Sequence, residues 1–572
     1  MTKWKIKERK VSGPYLNYLK EFYDNLGINS IYSDILINRN VDPTDIEKLL
    51  KKPDTLLEEP EDIFGCKQVS DKIIKFLKSG RSFHIFADYD VDGLTSGYIM
   101  KTYLERLGAD VQVYFPERKE GYGISMKFIK KIPDDTVVIT VDNGSTAFDV
   151  LDYCLENNID ILVTDHHNLS TERKFPKKIP ICNPHANENS AGHHLCGAAV
   201  AWKICTRIDK KLKKDFARDL ITFAAIGTIS DIMPMTIENQ AIVLIGLKDI
   251  EENAPNIFKL GKAFKLNEID FKTISWNIAP ELNACGRMGK IKPAVELMFE
   301  NTDSEKLKDI ILEIYKLNEK RKDITAKAVS KALEKNDPTL PICMFDVSLY
   351  PIGLAGVIAN KIMSTYNKPT IIYNKSGDCY TGSVRSPYDI LDLLEVVKEK
   401  GSIISYGGHS KACGICIKDI NQFKKDISEA IYSIALSNKE FDKVFEPDLL
   451  IDHEIKFNDL NTSLYNSLMK IPTDKDYFKE PIFCINNLSV AEVKHSKNNP
   501  NNICFSLVDT DKVLKEIWAW NMSNEYEALG SPKVIDIAGT IKKQGFGKYP
   551  DKIVINIDYI RKSPTVNNVR AY

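Results

Sequence analysis

Between residues 82 and about 236 the chain alternates short, continuously apolar runs with longer stretches of helical period. Ser82–Ala87, Val111–Phe115, Thr136–Val141 and Ile159–Thr164 are short and apolar, as strands buried on both faces are. Ser96–Leu107 and Thr146–Asn157, set between them, have helical spacing. Such alternation predicts a parallel sheet with helices on both faces. Residues 304–335 hold neither Gly nor Pro and place Leu307, Ile310, Ile311, Ile314 and Leu317 on one helical stripe. A continuous helix there would be about 48 Å long at 1.5 Å per residue, a length that suits bridging two lobes. Thr302 and Glu305 form a capping-box pattern at its start. A second α/β pattern runs from about residue 340 to 435. From about 448 the chain becomes strand-rich with short loops, as in a small barrel. The predicted fold is α/β: two α/β lobes joined by a long helix, plus a C-terminal β-barrel. Its parts are a leader packed on the first domain (1–78), the first α/β domain (79–240), a helical region with the connecting helix (241–336), the second α/β domain (337–440), the barrel (445–563) and a loose tail (564–572).

Composition changes this picture little. At 572 residues the chain is too long for one core, in keeping with several domains. Its 78 basic and 79 acidic residues nearly cancel, which excludes a uniformly basic nucleic-acid coat and leaves room for a local basic groove. No apolar run approaches the roughly 20 residues of a membrane span, and Met1-Thr2-Lys3-Trp4-Lys5 leads into no apolar signal region. The twelve cysteines are scattered in a chain too large to need disulfide staples, so a cytoplasmic protein without a membrane partner is expected. Cys413-Gly414-Ile415-Cys416 has redox spacing. In a strand its two cysteines face opposite sides, and no second pair completes a zinc site.

The candidate chemistry lies at strand ends. Asp88-Tyr89-Asp90-Val91-Asp92-Gly93 follows the run Phe83–Ala87, and alternate residues of an extended segment point the same way. Three converging carboxylates repel one another unless a cation or proton intervenes. Asp142, in Val141-Asp142-Asn143-Gly144, and Asp165-His166-His167 also follow apolar runs, where open α/β sheets place ligands. Asp231 follows an apolar helix in Ser230-Asp231-Ile232-Met233-Pro234. Taken singly, each has a structural explanation as a turn or cap residue. Together they supply carboxylates and imidazole without a thiolate, a set suited to Mn²⁺ or Mg²⁺.

The order of these motifs, closed by Gly407-Gly408-His409-Ser410-Lys411-Ala412-Cys413-Gly414, resembles the DHH phosphoesterases. Leu195–Ala201, Leu282–Gly289 and Gly382–Ser386, with the C-terminal barrel, resemble the branch of that family that degrades single-stranded DNA from the 5′ end. The resemblance runs from about residue 30 to 562 and implies lobes of DHH and DHHA1 type with an oligonucleotide-binding (OB-like) barrel. It implies two divalent cations, Mn²⁺ or Mg²⁺, held by Asp90, Asp92, Asp142, His166 and Asp231, with Asp142 bridging. It places His167 beside the scissile phosphate, gives Asp88 and Asp165 supporting roles, and matches Arg118, Arg287, Ser383, Arg385 and His409 to phosphate- and substrate-contacting positions. Arginine suits that task because its planar fork pairs with phosphate oxygens. Trp518, Trp520 and Tyr526 are candidate base stackers on the barrel. Two departures stand out. Glu281 occupies a position where the family typically has arginine, and Pro472–Phe478 lacks the glycine-rich turn usual near the barrel's start.

The function implied is a single-stranded-DNA-specific 5′–3′ exonuclease of DNA repair and recombination. It would release 5′-mononucleotides as a monomer, with a single-strand-binding protein and a helicase as partners. Two alternatives stand beside it. A small-nucleotide phosphodiesterase or pyrophosphatase would use the same ions but lacks the barrel and the leader. A non-catalytic replication scaffold of the same fold loses metal ligands.

Overall fold

The computed structural model describes residues 4–7, 11–116, 123–170, 173–300, 304–334, 342–437, 449–497, 499–545 and 550–564. The chain forms two compact units, one of residues 57–233 and 242–445, the other of residues 1–56, 234–241 and 446–572. Among the described residues no helix is long and apolar enough to cross a membrane.

In the larger unit, β1 (Ser82–Ala87), β2 (Val111–Tyr114), β3 (Thr136–Val141), β4 (Asp160–Thr164) and β5 (Ile181–Cys182) form a parallel sheet in the order β2-β1-β3-β4-β5. The central strands β1 and β3 bury Phe83, Ile85, Val137, Val138 and Ile139 completely, which is why their sequences read as unbroken apolar runs. From β1 the chain goes to one side for β2 and returns to the other for β3. The carboxyl ends of β1 and β3 therefore flank a topological switch point, where such sheets bind ligands. Helix α1 (Val91–Arg106) begins five residues before the predicted Ser96, because Asp90 caps it by accepting a hydrogen bond from the Gly93 N–H at 3.0 Å. Helices α2 (Phe148–Glu156), α3 (Gly197–Leu212) and α4 (Ile221–Ser230) complete the parts that matter for the site.

Farther on, α5 (Ala279–Arg287) precedes the long helix α6 (Ser304–Glu334), 31 residues without interruption. Its early apolar positions Leu307, Ile310, Ile314 and Leu317 are buried, while Ala328, Val329 and Ala332 near its end belong to the core of the second lobe. Thr302, the predicted cap, lies outside the described residues. Glu281 of α5 is no phosphate contact. Its buried carboxylate accepts a hydrogen bond from Asn318 Nδ2 of α6 at 2.5 Å, and Asn318 in turn accepts from Arg321 Nε at 2.7 Å. The second lobe consists of β6 (Cys343–Asp346), α7 (Ala355–Tyr366), β7 (Thr370–Ser376), β8 (Cys379–Arg385), β9 (Ile403–His409) and β10 (Ala412–Ile417). Its sheet order is β9-β10-β8-β7-β6, with β6 and β7 parallel and the other pairs antiparallel. All twelve cysteines are free. Cys413 is buried, while the Sγ atom of Cys416 lies 3.5 Å from that of Cys379.

The smaller unit departs from expectation at its N-terminal end. Residues 1–56 belong to one compact unit with the C-terminal segment. Trp4–Ile6 pairs in parallel with Leu449–Ile451, and Asn29 N–H donates to Ser467 Oγ at 2.8 Å. Strand pairing between segments so far apart in the chain leaves no local pattern to read. Residues 57–78 do lie with the first domain, through the helix Cys66–Lys78. The barrel strands β11 (Phe483–His495), β12 (Ile503–Val508), β13 (Leu514–Ala519), β14 (Val534–Lys543) and β15 (Ile553–Lys562) pair antiparallel in the order β13-β12-β11-β14-β15, an OB-like sheet. In Pro472–Phe478, which lacks the glycine-rich turn usual in the family, the Asp474 carboxylate accepts the N–H groups of Asp476, Tyr477 and Phe478 at 2.6, 2.5 and 3.1 Å and closes the turn itself. Trp518 and Trp520 stack with ring centroids 5.8 Å apart, half-buried and exposed respectively. Tyr526 is not available for stacking. It is buried edge-on against Phe505 with its hydroxyl donating to Pro532 O at 3.1 Å. The tail beyond 564 lies outside the described residues.

Candidate metal centre

Three strand ends and one helix end meet here. After β1, Asp88 is buried and accepts its neighbour Tyr89's N–H at 2.8 Å. Asp90 caps α1, and Asp92 lies in that helix's first turn. The Asp92 carboxylate accepts the N–H groups of Gly197 and Ala198 at 2.7 and 2.9 Å, the free donors at the start of α3. Small residues are mandatory around it. A Cβ at Gly227 would lie 2.5 Å from Asp92 Oδ1, and one at Gly197 would lie 2.6 Å from Asp142 Cβ. After β3, Asp142 adopts a left-handed backbone (φ 61°), which lets the chain turn sharply with its side chain held inside. After β4, Asp165 accepts the N–H groups of His166 and His167 at 2.8 and 3.1 Å and that of Ser145 at 2.9 Å. Asp231 ends α4 and is followed by Ile232 at φ 57°, a strained conformation for a β-branched residue.

The side chains converge. His166 Nε2 lies 3.2 Å from Asp142 Oδ1 and 3.7 Å from both Asp92 Oδ2 and Asp231 Oδ2. Asp142 with His166 and His167, Asp92 with His166 and Asp231, and Asp88 with Asp90 and Asp142 each offer ligand atoms within 4.8 Å of one another. Asp142 and His166 each belong to two of these groups. Asp165 belongs to none; it holds His167 through a 2.8 Å contact to Nδ1. Asp88, expected only to support its neighbours, stands within ligand reach itself.

The electrostatics show a cluster short of positive charge. Burial, then the charges of Asp92, Asp90, Asp88 and Asp231, pushes the Asp142 carboxyl well above the usual carboxylate range. Burial and Asp92 raise Asp90 as well. Asp142 Oδ1 is buried without a hydrogen-bond partner, although His166 Nε2 is close. Burial and the neighbouring His167 bring His166 down to about 4, leaving a neutral imidazole with a lone pair to give. His167 behaves oppositely. Burial lowers it, but the hydrogen bond and charge of Asp165 prevail and raise it to about 9. A buried, orphaned carboxylate oxygen beside a neutral imidazole and further carboxylates is a fit for divalent cations with oxygen and nitrogen ligands. The nearby Cys196 does not alter the donor set, because burial, then the charge of Asp92, keeps its thiol protonated.

Three asparagines that sequence reasoning missed position this centre. Asn143 Nδ2 donates to Phe86 O and Val141 O at 3.2 and 2.8 Å, tying the ends of β1 and β3 together. Asn183 Nδ2 donates to Ser145 Oγ and His167 O at 2.8 and 2.9 Å. Its signal was faint, because it follows β5, a strand of two residues. Asn283 Oδ1 of α5 accepts the Val91 N–H at 3.1 Å and brings the α5 end beside the cluster, so that the half-buried Arg287 acts on Asp90.

The remaining predicted substrate residues form a second group on the other sheet. Arg385 Nη1 donates to Ser383 Oγ at 2.9 Å, and Gly356 at the start of α7 leaves them space, since a Cβ there would lie 2.8 Å from Arg385 Nη2. In strand register His409 pairs with Ala412, which pairs with Arg385, so these positions share one row across β9, β10 and β8. Arg118 lies outside the described residues.

Residues 82–228 match the DHH family, N-terminal domain, and residues 451–551 the RecJ OB domain. The chain is 28% identical over 464 residues to the single-stranded-DNA-specific exonuclease RecJ of Bacillus subtilis (strain 168), covering 77% of this chain and 57% of that protein. It is 28% identical over 363 residues to the RecJ of Thermus thermophilus, covering 62% and 52%. The chain thus spans little more than half the length of these two relatives. The crystal structure of the Thermus thermophilus RecJ in complex with Mn²⁺ matches with a TM-score of 0.78 at 21% identity, over 100% of this chain and 81% of that one. This likeness establishes the fold.

Proposed function

We propose that the chain, with its matches to the DHH N-terminal domain and the RecJ OB domain, belongs to the RecJ branch of the DHH superfamily and is a single-stranded-DNA-specific exonuclease that hydrolyses phosphodiester bonds from the 5′ end and releases 5′-mononucleotides. The observation that carries this reading is the carboxylate–imidazole cluster at three strand ends and one helix end, mostly buried, with the buried Asp142 Oδ1 left without a hydrogen-bond partner. Asp90, Asp92, Asp142, His166 and Asp231 would hold two divalent cations, Mn²⁺ or Mg²⁺, which when bound supply an activated water and neutralise charge on the phosphoryl oxygens. The chain's own groups do the rest. The amides of Gly197 and Ala198 fix Asp92 in place. Asp165 keeps a proton on His167, which then presents a cationic donor to the scissile phosphate. Arg287 holds backbone phosphate beside the cluster, and Ser383 with Arg385 receives the terminal 5′ phosphate, with Arg118 and His409 as further contacts. A terminal phosphate fixed in such a pocket stops the strand and sets its first linkage for cleavage.

The OB-like barrel and the complete ligand set favour a polymer-degrading enzyme over a small-nucleotide phosphodiesterase or a scaffold. Single-stranded DNA is the partner, with a single-strand-binding protein and a helicase as the protein partners this role entails. The test is digestion of strands labelled separately at each end by purified protein with Mn²⁺. The expected result is mononucleotide release from the 5′ end, faster with a 5′ phosphate and absent on blunt duplex. Release from the 3′ end first, or cleavage of dinucleotides only, would sink the reading.

A further inference from the structure

A helical segment leads away from the metal centre, and its outer end has no role in the chemistry above. Phe271–Thr273 is α-helical, Ile274–Ile278 is π-helical and α5 continues the same run to Arg287. Pro280, which has no N–H to bond the preceding turn, sits at the start of α5, next to the wider π turn. Such turns inside helices are frequent at functional sites. Trp276, Pro280, Asn283 and Arg287 follow at intervals of four, three and four residues, which places them on one helix face. Of the inner two, Asn283 is anchored at the metal centre by its bond with the Val91 N–H, and the charge of Arg287 reaches Asp90. At the outer end the Trp276 side chain is 69% exposed, while Ile274 and Ile278 in the same π turn are fully buried. Trp276 is therefore no part of the core that fixes this helix.

Along the axis Trp276 stands about 16 Å from Arg287 at 1.5 Å per residue. At 3.4 Å per stacked nucleotide of one strand this is roughly five nucleotides, fewer if the strand is stretched. We propose that Trp276 is a base-stacking platform that grips the single strand about five nucleotides from the linkage being cut, with the backbone led there along the face that carries Arg287. The proposal rests on the nuclease reading and adds a substrate-binding residue to it. An indole face stacks on any base, so the grip is sequence-tolerant, and a base paired in a duplex does not offer its face to it.

The test uses the full chain with Mn²⁺, Trp276→Ala and Trp276→Phe, and 5′-phosphorylated oligonucleotides of increasing length. Trp276→Ala should match the parent protein on strands of up to about four nucleotides. On longer ones KM should rise about tenfold with kcat unchanged, a change of roughly 1.4 kcal/mol that falls in the range for base–aromatic stacking. Trp276→Phe should recover most of that loss. An abasic site moved along the strand should weaken the parent protein at one position and leave Trp276→Ala indifferent there. Equal losses at all lengths, or abasic and Trp276→Ala penalties that add at every position, overturn the assignment. Fluorescence polarisation of the same strands on Asp142→Asn, with and without Trp276→Ala, separates the two failures. If the parent protein cuts no single strand, the nuclease reading falls, while the binding comparison still decides for or against Trp276.

Discussion

Two buried aspartates, one in each unit, show how differently the same side chain can be held. Asp452 of the smaller unit accepts hydrogen bonds from Arg39 Nε and Nη2 at 3.1 and 2.9 Å, from Lys7 Nζ at 2.8 Å and from the Ile482 N–H at 3.0 Å. Burial pushes its carboxyl up, but Arg39 and then Lys7 hold it below the usual range. Asp142 of the larger unit has other carboxylates and the imidazoles of His166 and His167 for neighbours, no hydrogen bond on Oδ1 and a carboxyl pushed far upward by burial and the carboxylate charges. Asp452 is satisfied by the chain itself and ties the N-terminal segment to the start of the barrel region. Asp142 is left for something from outside to satisfy. A buried carboxylate marks function when its missing partner cannot be found in the protein.

The largest effect should come from Asp142→Asn, which keeps the shape and tolerates the left-handed backbone. Nuclease turnover should fall by about 10⁴-fold or more, above roughly 5 kcal/mol in the barrier. The thermal midpoint in chelator should hold or rise, since a repelling charge has gone. Near-normal turnover in a folded variant would remove the bridging role. Asp452→Ala should invert the pattern. Breaking a buried, paired charge costs about 3–5 kcal/mol, so denaturant unfolding of the barrel-containing unit should shift while single-turnover cleavage of a dinucleotide persists. Smaller again is the effect of added cation. Mn²⁺ at 100 times its dissociation constant should stabilise the parent protein by about 2.7 kcal/mol and Asp142→Asn much less. Equal stabilisation of both in calorimetry would mean that the ion binds elsewhere.

The sequence made the larger unit's centre legible for a local reason. Each of β1, β3 and β4 is a continuous apolar run ending in ligand-type residues, so Asp88–Asp92, Asp142 and Asp165–His167 announce themselves. Asp231 ends a helix and needed the order of motifs to be noticed. Asn183 was hidden behind a two-residue strand. What could not be read is non-local. Lys7 meets Asp452 across 445 positions, and Glu281 finds Asn318 on another helix 37 positions away. Tyr526 passed for a surface stacker because its burial depends on Phe505, a residue of a different element.

The smallest effect extends the comparison to pH. In the smaller unit His453 Nε2 lies 3.9 Å from Asp34 Oδ2, and its Nδ1 lies 2.6 Å from Glu454 O. The pairing with Asp34 raises the imidazole above its ordinary value of 6.5, with burial opposing and the Glu454 carbonyl adding to the rise. A group whose pKa is higher folded than unfolded binds its proton more tightly in the folded state. Its contribution is therefore fully present below the unfolded pKa, and it is lost as pH rises through the folded one. His453→Gln removes that proton while keeping an acceptor and a donor. Below pH 6.5 the parent protein should unfold at a higher temperature than His453→Gln, in chelator so that the metal centre takes no part. From pH 6.5 upward the gap should close. A gap that stays constant from acid to alkaline pH would show that His453 packs but does not pair. A gap that widens with pH would mean that the imidazole is held neutral, opposite to the charge balance that Asp34 sets.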